Sequence, residues 1–302
     1  MAESKVAVYG AIAANVAIAA TKFTVAGITG SSAMLSEAIH SLVDTCNDAL
    51  LLVGLARSQL PASKEHPFGH GKELYFWSLI VGVLIFGVGG GISFYEGILL
   101  VLDAPALREP PWNYVVLAAA AVFEGVSLVI GWRQFARERG DTPLWRAMRI
   151  SKDPTTFTVI AEDSAALAGL LIAAIGIFLS HALDIPELDG VASMLIGLLL
   201  AAVAVLLIRE SKGLLVGEGI KPETAREIQR LLEQQDGVRE VGPVLSMYIG
   251  PDEALVAVEV RFAPDTATSD AADAVRRAQD AIREQFPKLK RIYIDVPQEP
   301  GK

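Results

Sequence analysis

A single cysteine, Cys46, stands in the chain, so no internal disulfide can form. It lies on an apolar segment beside a polar face, where a small apolar filler accounts for it better than a metal ligand does. Charge is also scarce. Asp, Glu, Lys and Arg make up 20% of 302 residues, and the acids outnumber the bases to leave a formal net charge of −9. That balance excludes a nucleic-acid surface built on basic residues. Histidine is confined to His40, His66, His70 and His181, with none after Gly213. No phosphate-cradling glycine loop and no nucleophile-and-base pair stands out, so the pattern is not that of an enzyme. Gly89-Gly-Gly91 lies inside an apolar run and reads as close helix packing. No cleavable signal peptide is evident, because the first apolar segment leads straight into the next.

What the chain has in quantity is apolar sequence: 52% hydrophobic residues and a mean hydropathy of +0.42. This composition predicts a membrane protein with a soluble portion. Six apolar segments of bilayer-spanning length follow one another at 6–28, 31–55, 73–102, 112–132, 157–179 and 191–208. Lys22, inside the first, is read as a snorkelling or helix-packing lysine. The loop after the second segment holds Arg57, Lys64 and Lys72, and the linker after the fourth holds Arg133, Arg137, Arg139, Arg146, Arg149 and Lys152. Arg209 and Lys212 follow the sixth. The opposite loops hold only Arg108, beside Asp103, Glu109, Asp184, Glu187 and Asp189. This asymmetry predicts cytoplasmic N and C termini. The lack of targeting features points to a bacterial inner membrane.

After residue 212 the composition becomes that of a soluble domain. The predicted layout is therefore a transmembrane domain over 1–212 and a cytoplasmic domain over 213–302. Pro222 opens a helix with Ala225, Ile228, Leu231 and Leu232 at helical spacing. Strands follow near 241–249 and 254–262, then a helix capped by Ser269, then a strand over 291–296. The order αββαβ predicts an α+β layer, one sheet covered by two helices.

The second segment carries the most informative pattern. With His40 as the origin on a helix, Asp44 falls near about 40°, Glu37 near about 60°, Asp48 near about 80° and Asn47 near about −20°. All share one face. Acids also recur at Glu96, Glu124 and the pair Glu162-Asp163. Such groups are costly in hydrocarbon and mark ion or proton paths. His40, Asp44 and Asp163 together supply three donors of a tetrahedral zinc site. Histidine counts against Ca²⁺ and Mg²⁺, while Mn²⁺, Fe²⁺, Co²⁺ and Cd²⁺ stay open.

Ser36-Glu-Ala-Ile-His40-Ser-Leu-Val-Asp44, His66-Pro-Phe-Gly-His70-Gly-Lys and Asp153-Pro-Thr-Thr, set in six spans with a trailing αββαβ domain, resemble the cation diffusion facilitators, a family of zinc and other divalent-metal transporters. The resemblance runs over essentially the whole length. It implies a six-span transmembrane domain, a ferredoxin-like or metallochaperone-like cytoplasmic domain, a homodimer, and export of zinc in exchange for protons. It also implies a tetrahedral site with two ligands four apart on each of the second and fifth spans. His40, Asp44 and Asp163 match that site, but the fourth position is Val159. Glu162, Asp48, Asn47 or water is left to complete the shell. His66 and His70 resemble a second metal site in which an acid assists, and Ser63 stands at the acid's position. The alternative reading is a membrane metal sensor or scaffold that keeps the fold without transporting.

Overall fold

The computed structural model describes residues 2–103, 111–139 and 154–297; side chains before Asn15, those at 111, 134 and 137–139, and those of 154–157 lie outside the description. Arg108, Glu109, Arg146, Arg149, Lys152 and Asp153 fall outside the described residues. The chain divides into two compact units, residues 1–56 with 74–212 and residues 57–73 with 213–302.

The first unit is helical: α1 (Ala2–Thr29), α2 (Ser32–Ser58), α3 (Glu73–Leu84), a π-helical stretch (Ile85–Ile92), α4 (Ser93–Leu102), α5 (Pro111–Arg139), α6 (Pro154–Leu183) and α7 (Glu187–Val216). Among the described residues five helices are long and apolar enough to cross a membrane: 32–58, 73–102, 112–133, 158–183 and 187–216. The first expected segment falls on α1, whose leading half carries no described side chains.

Between α1 and α2 the chain reverses at Gly30, with φ +71°, a conformation that a Cβ would strain. Ser31 then caps α2, its Oγ accepting from the Met34 amide at 3.1 Å. Further donors at this end are met from another helix. The carboxylate of Asp189 on α7 accepts from Ser31 Oγ at 2.9 Å, from the Ser32 amide at 2.6 Å and from the Ala33 amide at 3.4 Å. Glycines join α7 to the 73–102 helix. A Cβ on Gly97 would lie 2.6 Å from the Gly190 carbonyl, and one on Gly197 would lie 2.7 Å from the Gly90 carbonyl, so the two backbones touch. The seam runs antiparallel, 90 against 197 and 97 against 190.

The second unit holds α8 (Pro222–Glu233), β1 (Val238–Val241), β2 (Leu245–Gly250), β3 (Glu253–Phe262), α9 (Thr268–Gln285) and β4 (Leu289–Asp295). The strand expected over 241–249 is two strands, because Gly242-Pro243 interrupts it and proline brings no amide to a ladder. Both pieces run antiparallel along one edge of β3, while β4 lies parallel on the other after the α9 crossover. Ala254, Val256, Val258 and Val260 alternate onto the buried face, where Ile228, Leu232, Ala278 and Ile282 from the two helices pack.

Candidate functional site

A cavity of about 450 Å³ opens among α1, α2, α5 and α6. Five carboxylates line it: Asp44 and Asp48 from α2, Glu124 from α5, and Glu162 and Asp163 from α6. Asn15, Ser41, Ser127 and Val159 share the wall with apolar Phe123 and Ile130. The i, i+4 spacing of Asp44 and Asp48 puts both on one stripe of α2, as helical geometry requires.

Neutral donors on neighbouring helices orient the acids. Asn15 Nδ2 donates to Asp48 at 3.2 Å, Asn47 Nδ2 to Glu162 Oε1 at 2.9 Å, and Ser127 Oγ to Asp163 Oδ2 at 2.8 Å. Each bond crosses between two helices and leaves carboxylate oxygens for another partner. His40, only 2% exposed, sits behind Asp44 with its Nδ1 3.4 Å from Asp44 Oδ1. Neither ring nitrogen, nor Asp44 Oδ1, makes a hydrogen bond among the described residues. A buried imidazole whose two ring nitrogens make no hydrogen bond is costly. Neutral imidazole beside carboxylates is a donor set for a first-row dication. As the side chains stand, no three His, Cys, Asp or Glu among the described residues converge closely enough to hold an ion. The donors ring a cavity rather than meet at a point.

Of the residues singled out from sequence, Asp44, Asp48, Glu162 and Asp163 are brought to one cavity, and His40 adjoins it through Asp44. Val159 is also at the wall, so the position that breaks the family pattern faces the cavity without a donor atom. Of the two readings of Lys22, helix packing holds and snorkelling does not: it is 1% exposed, donating to Glu37 Oε2 at 3.2 Å and to Ser41 Oγ at 2.7 Å on α2. It lies about two turns before the end of α1, where a buried acid of α2 is within reach. Glu37, expected on the shared polar face, is taken by that lysine and does not line the cavity. Glu124 was recognisable as a costly membrane acid, but its placement in the cavity was not. Asn15 and Ser127 gave no sequence signal, since neutral polar residues in spans commonly bond within their own helix.

His66 and His70 belong to the second unit, and their rings stand 4.3 Å apart between centroids. His66 is exposed and His70 half-buried. Ser63 is near but occupied, accepting the His66 amide on its Oγ at 3.0 Å. The segment rests on the sheet through Phe68, which carries the Arg291 guanidinium 5.3 Å from its ring centroid, while Lys72 donates to the Leu215 carbonyl at the end of α7 at 3.3 Å.

Comparison with known proteins bears on both units. The chain is 36% identical over 237 residues to the mouse protein described as proton-coupled zinc antiporter SLC30A9, mitochondrial, an alignment covering 78% of this chain and 42% of that one. The chain thus spans less than half the length of these relatives. It is 31% identical over 269 residues to metal tolerance protein C4 of Arabidopsis thaliana, covering 86% of this chain and 57% of the relative. With the manganese efflux system protein MneP of Bacillus subtilis it shares 26% identity over 291 residues, covering 95% and 93%. The family described as cation efflux protein, cytoplasmic domain, matches residues 220–299. The cation efflux transmembrane domain matches residues 8–216, well over half of the sequence, and the chain therefore belongs to the cation efflux family, the cation diffusion facilitators.

Proposed function

We propose that this protein is a divalent-metal efflux transporter that exports Zn²⁺ from the cytoplasm in exchange for protons. The observation that carries the reading is the five-carboxylate cavity with His40 beside Asp44, its ring nitrogens making no hydrogen bond among the described residues, set in long apolar helices. His40, Asp44 and Asp163 bind the ion, and Glu162 or Asp48 supplies the oxygen that Val159 lacks. These groups take metal in their deprotonated forms, so metal and protons compete for the same atoms and one gradient can drive the other. The relatives support both the exchange and a range of metals: one is described as a proton-coupled zinc antiporter, another as a manganese efflux system protein. Mn²⁺, Fe²⁺, Co²⁺ and Cd²⁺ are the other candidate cargoes. Membership of a transporter family also makes the chain a carrier and not an enzyme.

In this reading α1 is the sixth span, residues 1–212 form the transport domain and 213–302 a cytoplasmic domain that pairs two copies. Segment 57–73 folds with 213–302, which supports a common side for that loop and the C-terminal region. The basic loops make that side the cytoplasm. His66 and His70 form a weak second metal site there. A second reading, a membrane metal sensor that no longer transports, draws on Val159 at the cavity wall.

Zinc flux in sealed proteoliposomes, measured with and without a pH gradient, tests the proposal. Flux that rises with the opposing proton gradient is the expected result. Zinc binding with no flux in either condition would favour the sensor.

A further inference from the structure

The buried pair Lys22–Glu37 is not used by the metal site as described above, yet it reaches the cavity wall. Both side chains are withdrawn from solvent, at 1% and 0% exposure. The pair has a direction. Its acidic end turns from the cavity: Glu37 Oε1 makes no hydrogen bond among the described residues, and a Cβ on Gly169 of α6 would come within 2.6 Å of it. Its basic end meets the cavity through Ser41, whose Oγ accepts from Lys22 Nζ at 2.7 Å and which lines the wall one turn before Asp44. With a lone pair given to the ammonium, the Ser41 hydroxyl is left to act as a donor. That stretch of wall is therefore electropositive, in a cavity otherwise ringed by acids.

We propose that Lys22 is a tethered cation that limits how tightly the cavity holds its metal, with Glu37 anchoring the ammonium and Ser41 presenting its charge. The inference rests on the transport reading and adds to it a residue that sets affinity. Five carboxylates in a medium of low dielectric would bind a dication strongly, because charge interactions there are several-fold larger than in water. A carrier must also let go: binding has to be favourable enough to enter and weak enough to leave. A fixed positive charge that opposes the incoming ion, without competing for the ligand oxygens, meets both needs.

Removing Lys22 alone would strand a buried carboxylate and endanger folding. The test therefore uses the neutral pair Lys22→Met/Glu37→Gln, with Lys22→Gln/Glu37→Gln as a second pair that keeps a hydrogen bond. Zinc affinity is measured by calorimetry on purified protein and flux in proteoliposomes. We expect Kd to fall about tenfold and maximal flux at saturating zinc to fall with it. Lys22→Arg, which keeps the charge, stays near wild type in both. An unchanged or weaker Kd in both folded neutral pairs overturns the proposal, because a merely structural pair would alter stability and not affinity. Wild type and Asp163→Asn run alongside. If wild type binds no zinc, or Asp163→Asn binds as tightly, the transport reading itself fails; if they differ as expected, a negative result falls on Lys22 alone.

Discussion

In the proposed reading His40 and Asp44 are the residues on which the cavity chemistry turns, and their i, i+4 relation was legible because only helical geometry was needed to find it. Asp48 followed from the same stripe. Glu37 was on that stripe too, but its destination depended on a lysine of another helix, and no periodicity reports which buried cation an acid meets. For His40→Ala and Asp44→Ala we expect loss of zinc transport with folded protein still extracted from the membrane. Gel filtration and vesicle flux check the two halves of that statement, and wild-type flux in either variant would remove the residue from the site. Val159→His places an imidazole at the wall position that lacks a donor. Zinc should bind more tightly, and an unchanged affinity would mean the shell is already complete. Glu162 and Asp163 both line the cavity, each held by a neutral donor. If both are ligands, Glu162→Gln and Asp163→Asn should weaken calorimetric zinc binding to similar extents. Unchanged affinity for Glu162→Gln would leave it the role of a proton carrier, seen instead as an altered pH dependence of flux.

At the scale of elements, apolar run length was enough to foresee the long helices but not what fixes their ends. Asp189 read as one of several acids in loops opposite the basic ones, yet it is buried within α7 and caps the start of α2. The partners lie about 157 positions apart in sequence, beyond any local cap signature. Asp189→Ala leaves two amides and the Ser31 hydroxyl without their acceptor and should destabilise the first unit by about 1–3 kcal/mol. A lowered thermal midpoint in detergent, with unchanged zinc affinity in the surviving folded fraction, is the expected pair of results. An unaltered midpoint would mean that Ser31 alone suffices as cap. The broken strand of the second unit had a visible cause in Gly242-Pro243, and alternation on either side of it masked the break. The glycine run 89–91 was read as packing, and Gly90 does lie against Gly197 and Ala201 of α7, but its π-helical course was not legible.

At the scale of the whole molecule, the division of the chain differs from what the order of residues implies. Residues 57–73 read as a polar connector between two spans, but they fold as part of the unit that contains 213–302. Their hold on that unit is small and specific. Phe68 takes the Arg291 guanidinium of β4, Lys72 donates to the Leu215 carbonyl at the end of α7, and Gly71 packs so closely on β2 that any Cβ would strike the Ile249 carbonyl and lie 2.9 Å from Gly250 Cα. Such a contact is invisible in the sequence, where Gly71 is one glycine among 26. It can be broken without touching the cavity. Gly71→Val forces the segment off β2, because backbone and not a flexible side chain stands in the way. Overpacking of this kind costs about 1–3 kcal/mol. Amide hydrogen exchange over 66–72 and along β2 should then quicken, while α8, α9 and their core keep wild-type protection. Arg291→Ala, which removes the ring contact and the ion pair to Glu253 but adds no clash, should give a smaller change of the same kind. If Gly71→Val leaves exchange at 66–72 unchanged, the segment is held by its links to α2 and α3 and not by the sheet.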